Sequence, residues 1–100
     1  MGVRGHFCQK YQVEYGAAYS WSELEACFLA IEESQEAAEI FDFSEFGHYV
    51  EIDTKKFLDL NAAEVKKELD EEQREMFDTI LEYAKMPQNK RAGFVRVEVF

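Results

Sequence analysis

The chain has 100 residues, 47% of them hydrophobic, including nine Phe, five Tyr and one Trp; this suits one domain, residues 1–100, with a real core and excludes a disordered acidic chain. Eleven basic and 21 acidic residues give a formal charge of 11 − 21 = −10, which disfavours direct DNA binding and favours cationic partners. No apolar run reaches the roughly 20 residues that span a bilayer, and the opening Met1-Gly2-Val3-Arg4-Gly5 lacks a secretory signal, so a cytoplasmic protein with Cys8 and Cys27 reduced is expected.

Residues 5 to 15 alternate, with Phe7, Gln9, Tyr11, Val13 and Tyr15 on one side, and predict a strand with one buried face that ends at Gly16. Ser20 and Glu23 have capping-box spacing, and Leu24, Cys27, Phe28 and Ile31 follow at helical intervals; a first helix is expected from about 20 to about 34. Residues 39–43 and 48–52 read as two strands of a hairpin, turned at Ser44-Glu45-Phe46-Gly47 with Gly47 available for positive φ. A short helical turn is expected from Asp53 to Leu60. Asn61 then caps a long helix with the apolar face Val65, Leu69, Met76, Phe77, Ile80 and Ala84, running to about Lys85, where Pro87 stops it. Residues 88–93 read as a polar loop, and Phe94 to Phe100 as a final strand. The order β-α-β-β-α-β predicts a small α+β sandwich, a mostly antiparallel four-stranded sheet with two main helices on one face.

The acidic residues are unevenly placed. From residue 11 to residue 54 there is no Lys or Arg, yet eleven carboxylates fall there: Glu14, Glu23, Glu25, Glu32, Glu33, Glu36, Glu39, Asp42, Glu45, Glu51 and Asp53. Ordinary soluble surfaces intersperse both signs. On the long helix, Glu64, Glu68, Glu71, Glu75, Asp78 and Glu82 fall within about 80° of one another at about 100° per residue. That row is about 27 Å long at 1.5 Å rise and imitates the spacing of DNA phosphates. The competing reading is a solvated helix face, in which Glu64 pairs with Lys67 and Glu71 with Arg74. Lys85, Lys90, Arg91 and Arg96, with Arg4 and Lys10, form a basic edge if the terminal strands pair.

Catalytic motifs are missing. There is no Gly-rich phosphate loop, H-E-x-x-H, G-x-S-x-G or D-x-D-x-D-G calcium loop in the sequence. His6 and His48 are the two histidines, and no set of four metal ligands can be assembled. His6 and Cys8 share one strand face, the usual first half of a metal or nucleophile site, and Cys27 could pair with His48 in space, though no motif points to it. No enzyme activity, metal or cofactor is expected. Trp21 reads more readily as core than as interface, and Phe46 at the hairpin tip reads equally as core or as an interface anchor.

A small, acidic protein without catalytic motifs resembles two functional classes. One is the DNA-mimic inhibitors, including anti-restriction and anti-CRISPR proteins of phages and mobile elements. The other is the immunity or antitoxin proteins that cover a nuclease toxin. The resemblance lies in charge and size and carries no residue correspondence. It implies an inhibitor that occupies the basic surface of a nucleic-acid-binding protein. The partner-binding residues would be Glu64, Glu68, Glu71, Glu75, Asp78 and Glu82, joined by Glu32, Glu33, Glu36, Glu39, Asp42, Glu45 and Phe46. The alternative from another class is a structural adaptor that forms a homodimer through its sheet edge.

Overall fold

A computed structural model describes residues 4–8, 15–35, 39–45 and 47–99, with residues 8, 15–18, 34 and 35 described through the backbone alone. Among the described residues five strands form one antiparallel sheet: β1 (Arg4–Cys8), β2 (Tyr15–Ser20), β3 (Phe41–Phe43), β4 (Tyr49–Asp53) and β5 (Phe94–Val99), in the order β2-β1-β5-β4-β3. The same residues form five helices: α1 (Trp21–Gln35), α2 (Thr54–Leu58), α3 (Ala62–Lys67), α4 (Glu71–Ala84) and α5 (Pro87–Ala92). The chain is therefore a small α+β domain, as its patterning predicts, with five strands against the four expected and five helices against the two main ones expected.

Register sorts the strand residues between two faces. Phe7 lies opposite Val97, Val97 opposite Val50, Val95 opposite Ile52, and Ile52 opposite Phe41. Side chains alternate along a strand, so these residues share one face, and each is at most 5% exposed. Helices cover that face. Phe28 of α1 stacks on Phe41 at 4.4 Å between ring centroids, and Tyr83 of α4 meets Phe7 at 5.1 Å. Phe57 of α2 packs on Phe77 of α4 at 4.9 Å. Gly5, on the same face, lets Leu24 approach: a Cβ built there would lie 2.6 Å from Leu24 Cδ2.

The single strand expected over 5–15 does not form: β1 covers Arg4–Cys8, and Tyr15 already belongs to the antiparallel β2, where it lies opposite Cys8, while residues 9–14, with Gln9, Tyr11 and Val13, lie outside the described residues. The chain does not leave the sheet at Gly16. Tyr15–Ser20 return antiparallel beside β1 as a strand the sequence reading did not include. The first helix begins at Trp21, immediately after β2. The hairpin forms as expected, and Gly47 adopts φ 72°. Ser44 holds its turn, its hydroxyl oxygen accepting from the backbone N–H of His48 (2.8 Å) and Tyr49 (3.0 Å).

The long helix expected from Asn61 to Lys85 is two helices. Asn61 does cap the first, Oδ1 accepting from Glu64 N–H at 3.3 Å. The second starts anew at Asp70. Its carboxylate accepts from Gln73 N–H (2.8 Å), while Gln73 Oε1 accepts from Asp70 N–H (3.1 Å). This capping box offers the backbone an alternative to continuing the helix. Arg74 Nε donates to the Lys66 carbonyl at 2.9 Å and so satisfies a helix-end acceptor of α3. Residues 88–93 are likewise not a loop: Pro87 occupies the first turn of α5, and Gly93 ends it at φ 91°. Among the described residues no helix is long and apolar enough to cross a membrane.

Candidate protein-binding surface

The break at Glu68–Asp70 divides the expected row of six carboxylates. Glu71, Glu75, Asp78 and Glu82 stay on α4, exposed, and at 1.5 Å per residue they span about 16 Å, not 27 Å. Glu64 belongs to α3 and Glu68 is its C-cap, so these two leave the row. Partial neutralisation follows. Asp78 is paired with Lys66, whose ammonium also lies over the Phe77 ring at 5.7 Å, and Glu64 is paired with Lys67 at 3.6 Å. Glu71, Glu75 and Glu82 have no ion pair among the described residues.

A second acidic region surrounds the β3 edge. On α1, Trp21, Glu25, Phe28, Leu29 and Glu32 lie along one stripe at helical spacing. The aromatic members turn toward β3: Trp21 and Phe28 approach Phe43 at 6.2 and 6.3 Å. Glu25 and Glu33 are exposed and Glu32 is half-buried. Asp42 projects from the middle of β3 to the opposite sheet face, and Glu45 is exposed in the hairpin turn. Glu39 leads into β3 with φ 71°, a left-handed conformation uncommon for a residue with a Cβ. Glu36 and Phe46 lie outside the described residues. Trp21 is half-buried against Phe28 and Phe43, in keeping with its reading as core.

Glu39 and Asp42 line a cavity of about 530 Å³ at the end of the sheet, with Glu51, Asp53, Lys56 and Phe94. Its carboxylates differ in employment. Asp53 caps α2 by accepting from Lys56 N–H at 2.9 Å. Glu51 pairs with Arg96 at 3.5 Å. Glu39 and Asp42 have no ion-pair partner among the described residues. They face water and the cavity, and a cationic group entering it would find two unneutralised carboxylates beside the half-buried Phe94 ring.

The basic residues do not make an edge. The terminal strands β1 and β5 do pair, but each has a second neighbour, so both lie inside the sheet. Arg96 sits in the middle of the open sheet face. It stacks on Tyr49 at 3.9 Å, and its Nε donates to Glu98 at 2.9 Å. Burial opposes its charge, but the hydrogen bond to Glu98 and the charges of Glu98 and Glu51 hold its pKa above the ordinary arginine value. Arg96 is a structural cation shared by two strands. Lys90 and Arg91 are exposed on α5, and Lys10 lies outside the described residues.

Cys27 and His48 do not come together. Cys27 is fully buried, its Sγ donating to the Gln73 carbonyl at 3.6 Å, whereas His48 is exposed in the hairpin. Burial, with the nearby charge of Asp70, pushes the Cys27 thiol up to about 12, so at neutral pH it is no thiolate nucleophile. Among the described residues no group of three or more His, Cys, Asp or Glu is placed to hold a metal ion. The sequence reading missed the exposed apolar pair at this end, Leu29 (49% exposed) and Phe43 (38%); the signal was available in Leu29 falling beside the buried stripe of α1 and not within it. The chain matches no protein-family model, no curated protein and no solved structure.

Proposed function

We propose that this is a non-catalytic acidic protein that binds the basic, nucleic-acid-binding surface of another cytoplasmic protein and so inhibits it. The observation that carries the reading is the employment of the carboxylates. Glu25, Glu33, Glu39, Asp42, Glu45, Glu71, Glu75 and Glu82 are exposed and have no ion-pair partner among the described residues. Such a field repels itself and repels nucleic acid, and it speeds encounter with a cationic surface. The α4 row and the β3 region would supply the contacts.

The test is capture of partners on the immobilised protein, elution by a salt gradient, and competition by duplex DNA. Release of a nucleic-acid-binding protein at moderate salt, with DNA competing for it, is the expected result. A partner retained at high salt and indifferent to DNA would sink the proposal.

A further inference from the structure

We infer that the outer edge of β3 is a docking site for an extended segment of that partner, one in which basic and apolar residues alternate, added to the sheet as a further strand. The inference deepens the reading above and rests on its cationic partner. The backbone comes first. Asp53 N–H donates to the Ile40 carbonyl and Ser44 N–H to the Tyr49 carbonyl, both at 2.9 Å. In an antiparallel pair the residues that bond to the neighbour alternate with those that do not. Ile40, Asp42 and Ser44 therefore bond inward to β4, and Phe41 and Phe43 aim their N–H and C=O groups away from the sheet. β3 is the last strand in the order, and no described residue pairs with that side. An unpaired edge is a template for a strand from another chain.

Side-chain chemistry then selects the strand. On the helix-covered face, the edge presents Phe43, which lies against Phe28 of α1, and Leu29 follows Phe28 on that helix; Phe43 and Leu29 are the exposed large hydrophobics among the described residues. On the opposite face, it presents Asp42 and, beside it, Glu39 in the acidic cavity. A strand laid along β3 sends alternate side chains to these two faces. Apolar residues would cover Phe43 and Leu29, and basic residues between them would meet Asp42 and Glu39. A second copy of this chain fits worse. Pairing β3 antiparallel to itself over its three residues sets Asp42 opposite Asp42, and like charges directly opposite destabilise a pair.

The experiment titrates the intact protein with three synthetic peptides, observed through backbone amide NMR shifts. One alternates lysine and valine. The second has the same composition in two blocks. The third is the alternating peptide N-methylated on every second residue, on the edge that would face β3. Binding of the alternating peptide at least about tenfold tighter than the block peptide, with shifts centred on Phe41, Asp42 and Phe43 and loss on N-methylation, is expected. Asp42→Lys should remove that preference. Equal, salt-sensitive binding of all three would overturn edge docking and leave the acidic-surface reading standing. No binding of any of them would overturn both. A concentration-dependent dimer whose formation excludes the peptides would assign the edge to a second copy and overturn the inference.

Discussion

Replacing Gly5 with Ala should destabilise the fold, although the change is normally favourable in a strand. Where the backbone tolerates Ala, losing a glycine stabilises by about 0.4–1 kcal/mol through the unfolded chain. Gly5 sits in β1, opposite Val99 and Tyr19, so its backbone is no obstacle. The obstacle is Leu24. A Cβ at position 5 would lie 2.6 Å from Leu24 Cδ2 and 3.2 Å from Val97 Cγ1, whereas ordinary contact begins at 3.4 Å. Leu24 must recede by 3.4 − 2.6 = 0.8 Å, and both Leu24 and Val97 are 0% exposed, so the displacement passes into the core between α1 and the sheet. Overpacking of this kind costs about 1–3 kcal/mol.

Urea unfolding measures it. With a slope of about 1–3 kcal/mol per molar, the midpoint should fall by roughly 1 M. The double variant Gly5→Ala/Leu24→Ala sharpens the test. Leu24→Ala alone should cost about 2–5 kcal/mol by leaving a cavity. In the double variant the new methyl group enters that space, so the combined loss should fall short of the sum by about 1 kcal/mol or more. A Gly5→Ala midpoint at or above that of the parent protein, or strictly additive losses, would refute the claim that Leu24 rests on a missing Cβ.

Asp70→Ala should cost about 1 kcal/mol in thermal unfolding, since it removes the side-chain acceptor that starts α4; an unchanged midpoint would mean that α4 starts without its cap. Arg96→Met should cost about 1–2 kcal/mol by ending the Tyr49 stacking and two ion pairs together, with Arg96→Lys intermediate; equal loss in both variants would deny the stacking a part. Cys27 should resist thiol reagents in the folded protein at neutral pH. Its folded pKa lies above the unfolded value, so the neutral thiol stabilises the fold fully below about pH 9, and that contribution falls as pH rises toward about 12. Cys27→Ala should therefore show a shallower alkaline loss of stability than the parent, and identical slopes would contradict the burial argument. Glu71→Lys, Glu75→Lys and Glu82→Lys together should abolish partner binding while the domain stays folded by circular dichroism; normal binding would remove the α4 row from the interface.

The parts of the fold that could be read from sequence are those where a residue's environment is set by near neighbours. Leu24, Cys27, Phe28 and Ile31 repeat at helical spacing, and all four are fully buried. Phe41–Phe43 and Tyr49–Asp53 alternate about a glycine that does take positive φ. β2 escaped because Gly16, Ala17 and Ala18 carry no β-branched or aromatic pattern, and their strand state comes from pairing with β1. The division of α3 from α4 escaped for a different reason. Asp70 and Gln73 have capping-box spacing, but they lie inside an unbroken apolar period that by itself predicts one continuous helix. Pro87 marks the end of α4 and is also the first residue of α5, where a missing N–H costs nothing. The candidate surface suffered most from these errors. A row of six carboxylates needs one continuous helix, and a basic edge needs its strands on the outside.

Two kinds of carboxylate can be told apart by what they touch. Asp53 and Asp70 cap helices, Glu51 of β4 and Glu98 of β5 hold Arg96, and Asp78 and Glu64 pair with lysines. These account for themselves structurally. Glu25, Glu33, Glu39, Asp42, Glu45, Glu71, Glu75 and Glu82 do not; they add to a formal charge of −10 whose self-repulsion works against the compact state. Glu39 goes further, holding a side chain at φ 71°, where glycine would be at ease. A fold selected for stability alone would intersperse lysine among such residues. Glu39, Asp42 and Glu45 of the second group lie around β3, whose outer edge pairs with no described residue and which carries the exposed Phe43, so charge, open backbone and apolar surface coincide there. Solubility explains the charge by itself, but it does not explain why the charge surrounds the one described edge with a phenylalanine left in water.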